Sequence, residues 1–286
     1  MERLEVTTRG VRLIVWVGGE ATAPSLLLLH GWPESSRAFA KVIPVLADRY
    51  RLIVPDQRGF GESDMPKGTA SYSMGILVSD AVAIADATGA DRVGVVGHDL
   101  GGSVAWALGA VAPDRVRAMV VMASPHPLHF RRVAAASPEQ MRRAFYVWLL
   151  HAGRSGERLL GRDDFRHLAQ WAFGRSAVTD DDRNAYRAQW AEPGRFTAMA
   201  EWYRAIYGPD LLNPDVSLDL APVAVPVRYL APEHDPAFAA GMHSGSGDFV
   251  DAAFDEVEIP GTSHWLCHDA PDRVGGLIDE WMSSHP

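Results

Sequence analysis

A single cysteine, Cys267, stands in 286 residues. One thiol leaves no disulfide framework within the chain and no cysteine-built metal cluster, which fits a reducing compartment. Basic charge is also scarce: 27 Lys and Arg face 36 Asp and Glu, a formal net charge of -9. No broad basic face can neutralise phosphates, so nucleic acid is excluded as a partner. The longest apolar runs, such as residues 26–29 and 119–123, are far too short to span a bilayer. Met1-Glu2-Arg3-Leu4-Glu5-Val6 alternates charged and apolar residues and lacks the apolar stretch of a secretory signal. These absences lead to the expectation of a cytoplasmic protein with no membrane partner. No H-E-x-x-H or Cys/His zinc pattern occurs, so no metal is expected.

What is present is core material. Hydrophobic residues make up 47% of the chain, enough for one large core or one core carrying an inserted subdomain. Residues 4–8 and 11–17 read as an antiparallel hairpin. Apolar strands are expected at 25–29, 51–54, 92–96 and 116–122, with helices at 36–47, 73–88 and 103–111 between them. Strands alternating with helices argue for an α/β fold with a mostly parallel, doubly wound sheet. From about 128 to 215 the period turns helical and no strand is evident. Thirteen arginines there meet eleven acidic side chains, whereas the remainder is strongly acidic. The expected division is a core of 1–127 and 216–286 with a helical cap over 128–215. Strands return at 225–230 and 254–259, and a last helix spans 271–283.

The strand 92–96 runs into Gly97-His98-Asp99-Leu100-Gly101-Gly102, and a helix follows. A strand-to-helix bend this tight tolerates few side chains beside its central residue, hence the glycines. The bend presents Asp99 at the carboxyl end of the sheet, beside backbone N–H groups that favour negative charge. A carboxylate is ionised at neutral pH and needs no base for its first attack.

Further segments carry a resemblance. His30-Gly31-Trp32-Pro33-Glu34, Asp56-Gln57-Arg58-Gly59-Phe60-Gly61-Glu62-Ser63, Ser124-Pro125-His126-Pro127 and Gly261-Thr262-Ser263-His264-Trp265 with Asp269-Ala270-Pro271 resemble segments of the α/β-hydrolase superfamily. Within it they resemble the branch of epoxide hydrolases and haloalkane dehalogenases. This sequence has Ser263 and Asp269 where that family usually has Gly and Glu, and Pro232 in place of a glycine before the acid. The resemblance implies an eight-stranded α/β-hydrolase fold with a cap. It implies Asp99 as nucleophile, His264 as the base that primes water, and Asp235 as its acid partner, with Glu233 the rival for that place. The order Asp99, Asp235, His264 is the one expected of the fold. It further implies an oxyanion hole at the backbone N–H groups of Trp32 and Leu100, and a substrate pocket near His30, Pro33, His98, Trp148, Trp202 and Trp265. His243 and other histidines are expected to be surface or packing residues, and residues 241–247 a flexible loop.

Opening an epoxide creates an alkoxide, which needs a donor. A phenol, with pKa about 10, stays protonated at neutral pH and can donate to so strong a base. Epoxide hydrolases carry two cap tyrosines; Trp202-Tyr203-Arg204 looks like the second, and Phe145-Tyr146-Val147-Trp148 like the first, at either Tyr146 or Phe145. Haloalkane dehalogenases usually place Trp after the nucleophile, where Leu100 stands here. The expectation is therefore a hydrolase converting an apolar small-molecule epoxide to a vicinal diol, with no cofactor. The alternatives are a dehalogenase using the same aspartate, or a receptor without activity. A homodimer is one assembly left open.

Overall fold

The computed structural model describes residues 1–134, 136–208, 221–239 and 241–286. Glu2–Thr8 (β1) and Val11–Gly18 (β2) pair antiparallel, with Glu2 opposite Val17 and Thr8 opposite Val11. Their connection, Arg9-Gly10, places both residues at positive φ, 50° and 75°, the geometry whose twist matches that of the flanking strands. Ser25–Leu29 (β3), Arg51–Asp56 (β4), Val93–His98 (β5), Val116–Met122 (β6), Val227–His234 (β7) and Phe254–Ser263 (β8) complete an eight-stranded sheet. The order is β1-β2-β4-β3-β5-β6-β7-β8. β2 pairs antiparallel with β4, and all pairings from β4 to β8 are parallel. The β3 and β5 sequences read apolar throughout because both faces of the sheet are covered.

Met74–Ala87 (α2) and Leu100–Val111 (α3) pack Leu77, Ile84, Val104 and Leu108 against one face, together with Leu27, Val95 and Val121. Ile43–Leu46 (α1) and Pro271–Ser284 (α11) bury Leu46, Val274 and Ile278 on the other face, against Leu26, Val96 and Val120. The helix expected over 36–47 is instead a 3-10 turn, Ser36–Phe39, followed by the single turn α1. Pro44 explains the break: it has no N–H to donate back, and its ring crowds the preceding carbonyl.

Among the described residues between β6 and β7 lie seven helices: α4 (Pro127–Ala134), α5 (Pro138–Arg143), α6 (Phe145–His151), α7 (Arg154–Leu160), α8 (Arg166–Phe173), α9 (Asp180–Trp190) and α10 (Arg195–Ile206). Helix α9 begins in a reciprocal capping box between Thr179 and Asp182. The expected cap boundary at 215/216 lies outside the described residues. Among the described residues no helix is long and apolar enough to cross a membrane.

The loop after β4 is fastened beneath this helical layer. Arg58 makes two bonds to Asp80 on α2, at 2.5 and 2.6 Å, and donates to the Ser71 carbonyl. Both partners of the ion pair are almost fully buried. Asp80→Asn would strand the guanidinium without its counter-charge, and such losses cost about 3–5 kcal/mol. A chemical denaturation midpoint lowered accordingly is the expected result; an unchanged midpoint would show that water reaches Arg58.

Candidate active site

β5 ends at His98, and α3 begins at Leu100, so the bend is a single residue, Asp99, at φ 49° and ψ -119°. A non-glycine residue there is strained, by about 1–3 kcal/mol in comparable cases. Space for the bend comes from glycines on both sides. A Cβ on Gly101 would stand 2.1 Å from the Leu29 carbonyl oxygen, and one on Gly31 would stand 2.4 Å from the Asp99 Cβ.

The Asp99 carboxylate is divided between two elements. Its Oδ1 accepts the Trp32 N–H at 2.8 Å, from the loop after β3. Its Oδ2 lies 3.5 Å from His264 Nε2. The other ring nitrogen, His264 Nδ1, is 2.7 Å from Asp235 Oδ2. Asp235 is anchored by the N–H groups of Ala237 and Phe238 on Oδ1, at 2.7 and 3.1 Å. The rival acid, Glu233, is half-exposed and accepts the Gly261 N–H instead. The loop carrying His264 is shaped by Asp269, which accepts Ser263 N–H at 2.7 Å and its hydroxyl at 2.6 Å.

Electrostatics follow from this stacking of charges. Burial disfavours the His264 cation, yet the Asp235 and Asp99 carboxylates outweigh that and lift its pKa to about 10. Burial alone would raise Asp235; His264 and His243 instead hold it far below the usual carboxylate range. The sign for stability is definite. A folded pKa raised from 6.5 to about 10 contributes stability that is complete below pH 6.5 and lost as pH rises through about 10. His264→Gln is expected to flatten this part of the pH–stability curve; identical curves for variant and parent would contradict the charged pairing.

Two cavities flank Asp99. One is bounded by Trp32, Tyr146, Trp171, Tyr203, Pro236 and Trp265. The other is bounded by Met74, Ser103, Phe130, Ile206, Tyr207 and Phe238. Trp32 stacks on Tyr146 with ring centroids 5.4 Å apart and meets Tyr203 edge-on at 5.4 Å. The Tyr146 and Tyr203 rings meet edge-on with centroids 5.6 Å apart, and their hydroxyls influence one another electrostatically. Burial, and then Asp99 for Tyr146 or Tyr146 and Asp99 for Tyr203, push both phenols well above 10, so both keep their protons. Tyr146 faces the cavity, whereas Phe145 is 41% exposed.

Five residues expected in the pocket serve elsewhere. Trp148 is 46% exposed, because it stands two positions from Tyr146 on α6 and so points to the opposite side of the helix. Trp202, next to Tyr203 on α10, is turned into the core and donates to the Arg58 carbonyl at 2.9 Å. Pro33 offers its carbonyl to Trp190 Nε1 at 2.7 Å. His30 is buried, and burial lowers its pKa. Its ring accepts from Gln57 N–H and donates to the Gly31 carbonyl, bracing the loop that carries Trp32. His98 is turned away from the cavity, with Nε2 donating to the His264 carbonyl at 2.8 Å. Trp265 does bound the cavity, its indole N–H held by the Ala172 carbonyl. Leu100 is buried as the first residue of α3.

Sequence reasoning missed a buried polar cluster behind the site. Glu34 Oε2 is 3.2 Å from His98 Nδ1, and its Oε1 is 2.9 Å from His268 Nε2. Tyr186 of α9 donates to Glu34 at 3.3 Å. Burial would raise Glu34, but the two imidazoles hold it far below the ordinary range. It also missed Trp171 and Phe238 as cavity walls. His243, expected at the surface or in packing, contacts Asp235 at 3.3 Å. The loop around it is fastened by Ser246, fully buried, whose hydroxyl accepts the His126 N–H.

Known proteins share this arrangement of elements. A family model described as the alpha/beta hydrolase fold matches residues 24–271. An AB hydrolase superfamily protein of Bacillus subtilis, YfhM, is 31% identical over 98% of this chain and 97% of its own length. Epoxide hydrolase 3 of Xenopus tropicalis is 31% identical over 96% of this chain and 75% of its own. The crystal structure of a Bacillus megaterium epoxide hydrolase in complex with an inhibitor superposes with a TM-score of 0.88. It covers 98% of this chain and 100% of that one at 24% identity, a likeness of fold.

Proposed function

The chain belongs to the alpha/beta hydrolase fold family, and from that premise we propose that it is an epoxide hydrolase working through an ester on Asp99. The observation that carries this reading is the pair of protonated phenols, Tyr146 and Tyr203, in one cavity with the Asp99 carboxylate. Relatives over nearly the whole chain bear the name epoxide hydrolase. Residues 128–215 act as the cap over a core of 1–127 and 216–286. The aromatic and apolar cavity walls suit an apolar small-molecule epoxide, handled in the cytoplasm.

Asp99 Oδ1 is already held by the Trp32 N–H, so Oδ2 is the free nucleophile. Its attack forms a carbon–oxygen bond, breaks one bond of the epoxide, and leaves an alkoxide that takes its proton from the phenol pair. Esterification removes the Asp99 charge. With one of its two carboxylates gone, His264 gives up its proton to the phenolate by way of solvent and becomes a neutral base. It then deprotonates a water that attacks the ester carbonyl. Oδ1 carries the developing charge, with the N–H groups of Trp32 and Leu100 as its donors. Collapse releases the diol, whose new oxygen is the former Oδ2 and which takes the proton from His264. The carboxyl proton left on Asp99 passes back to His264 and restores the starting pair.

A single turnover of the enzyme with styrene oxide in H₂¹⁸O tests the scheme. The label is expected in Asp99 and not in the diol. Label in the diol alone would mean direct attack of water and would overturn the ester route. A halide-displacing reading draws on one observation, the buried Trp32 Nε1 with no hydrogen-bond partner among the described residues. A chloroalkane panel run in parallel separates the two.

A further inference from the structure

Asp235 has a second imidazole on it. Its Oδ1 is filled by two backbone N–H groups, and its Oδ2 accepts from His264. On another side of Oδ2, His243 Nε2 stands at 3.3 Å. This nitrogen is buried and has no aligned hydrogen-bond partner among the described residues. The opposite nitrogen, Nδ1, is 2.8 Å from the Tyr229 hydroxyl on β7. Tyr229 is fully buried, and burial together with the Asp235 and Glu256 carboxylates pushes its phenol well above 10. It therefore keeps its proton. With the phenol proton directed at Nδ1, the ring proton falls on Nε2, on the side of the carboxylate.

We propose that His243, its tautomer set by Tyr229, is a positioning residue for ester hydrolysis: it keeps an N–H 3.3 Å from Asp235 Oδ2, off the hydrogen-bond line but near enough to become a second donor as that carboxylate shifts. This rests on the ester mechanism above. During hydrolysis His264 gains and loses a proton, and the pull it exerts on Oδ2 rises and falls with it. A carboxylate held only by that partner would follow it. A second donor on the same oxygen keeps the acid in place and keeps it ionised through both states. The Phe238 ring packs on both imidazoles, with centroids 5.4 Å from His243 and 5.9 Å from His264, so the two are held as one unit. His243 touches neither Asp99 nor the phenols, so the esterification step is independent of it.

The two steps are separable by rapid quench, with mass spectrometry of the Asp99 peptide during turnover of styrene oxide. In His243→Leu, esterification is expected to keep its rate while hydrolysis slows about tenfold, the loss typical when a residue that orients a ligating or catalytic group is removed. Ester then accumulates. His243→Gln, which keeps a donor near the Nε2 position, restores most of the hydrolysis rate. Tyr229→Phe, nearly isosteric and so safe for folding, slows hydrolysis in the same direction but by less, because both tautomers become available. Equal slowing of both steps, or an unchanged hydrolysis rate in His243→Leu, would overturn the proposal. Absence of any ester in the parent enzyme would remove the proposed function itself, a distinct result.

Discussion

His264→Gln is expected to stop after the first chemical step, holding one equivalent of substrate as an ester on Asp99. The reason lies in the division of labour around the nucleophile. Attack by Oδ2 requires an ionised carboxylate, the Trp32 N–H at 2.8 Å and the two phenols, none of which depends on the imidazole. Hydrolysis requires a base at Nε2, 3.5 Å from the Asp99 carboxylate. Glutamine approximates the shape of the ring but cannot take the proton. General-base catalysis contributes about 10²–10⁴-fold, and hydrolysis is expected to slow within that range. Intact-mass measurement after a stoichiometric pulse of epoxide should show the protein heavier by one substrate mass, and peptide mapping should place the adduct on Asp99. An unmodified protein that also forms no diol would mean that His264 acts before the ester, which the geometry opposes. Asp99→Asn should carry no adduct under the same conditions.

The positions of these groups were legible in the sequence for a physical reason. Asp99, Asp235 and His264 each follow a strand, and the sheet order brings the ends of β5, β7 and β8 to one edge. The glycines at 97, 101 and 102 report a bend that few other residues tolerate. Other features depend on distances the chain order hides. Glu34 finds His98 and His268 across 64 and 234 positions, and nothing in its local sequence marks the pairing. His243 reaches Asp235 from a loop that reads as surface because it is rich in Gly and Ser. The pocket walls were misread where helical phase decides: Trp148 and Trp202 stand two and one positions from the cavity tyrosines, and that rotation turns them away. The break at Pro44 was legible in principle and was lost to the amphipathic pattern around it.

Removing both phenols should silence epoxide opening while sparing the displacement of a better leaving group. The alkoxide released from an epoxide is comparable in basicity to hydroxide, whose conjugate acid has a pKa of about 15.7. Tyr146 and Tyr203 are hydroxyl donors that share the cavity with Asp99, and burial raises both pKa values and so narrows the gap to the alkoxide. Loss of one charge-stabilising donor costs about 10²–10³-fold in comparable sites. Because the two rings adjoin in one cavity, each single Phe variant leaves a neighbouring phenol to serve the substrate. The double variant is therefore expected to lose more than the product of the two single effects would suggest. The losses should fall on esterification, measured in a single turnover, with hydrolysis of any ester formed left near the parental rate. A bromoalkane supplies the control, since bromide leaves without a proton and its displacement by Asp99 should change little. If epoxide and bromoalkane lost equal factors, the tyrosines would be acting as walls of the cavity, and the preference for epoxides would have no chemical basis.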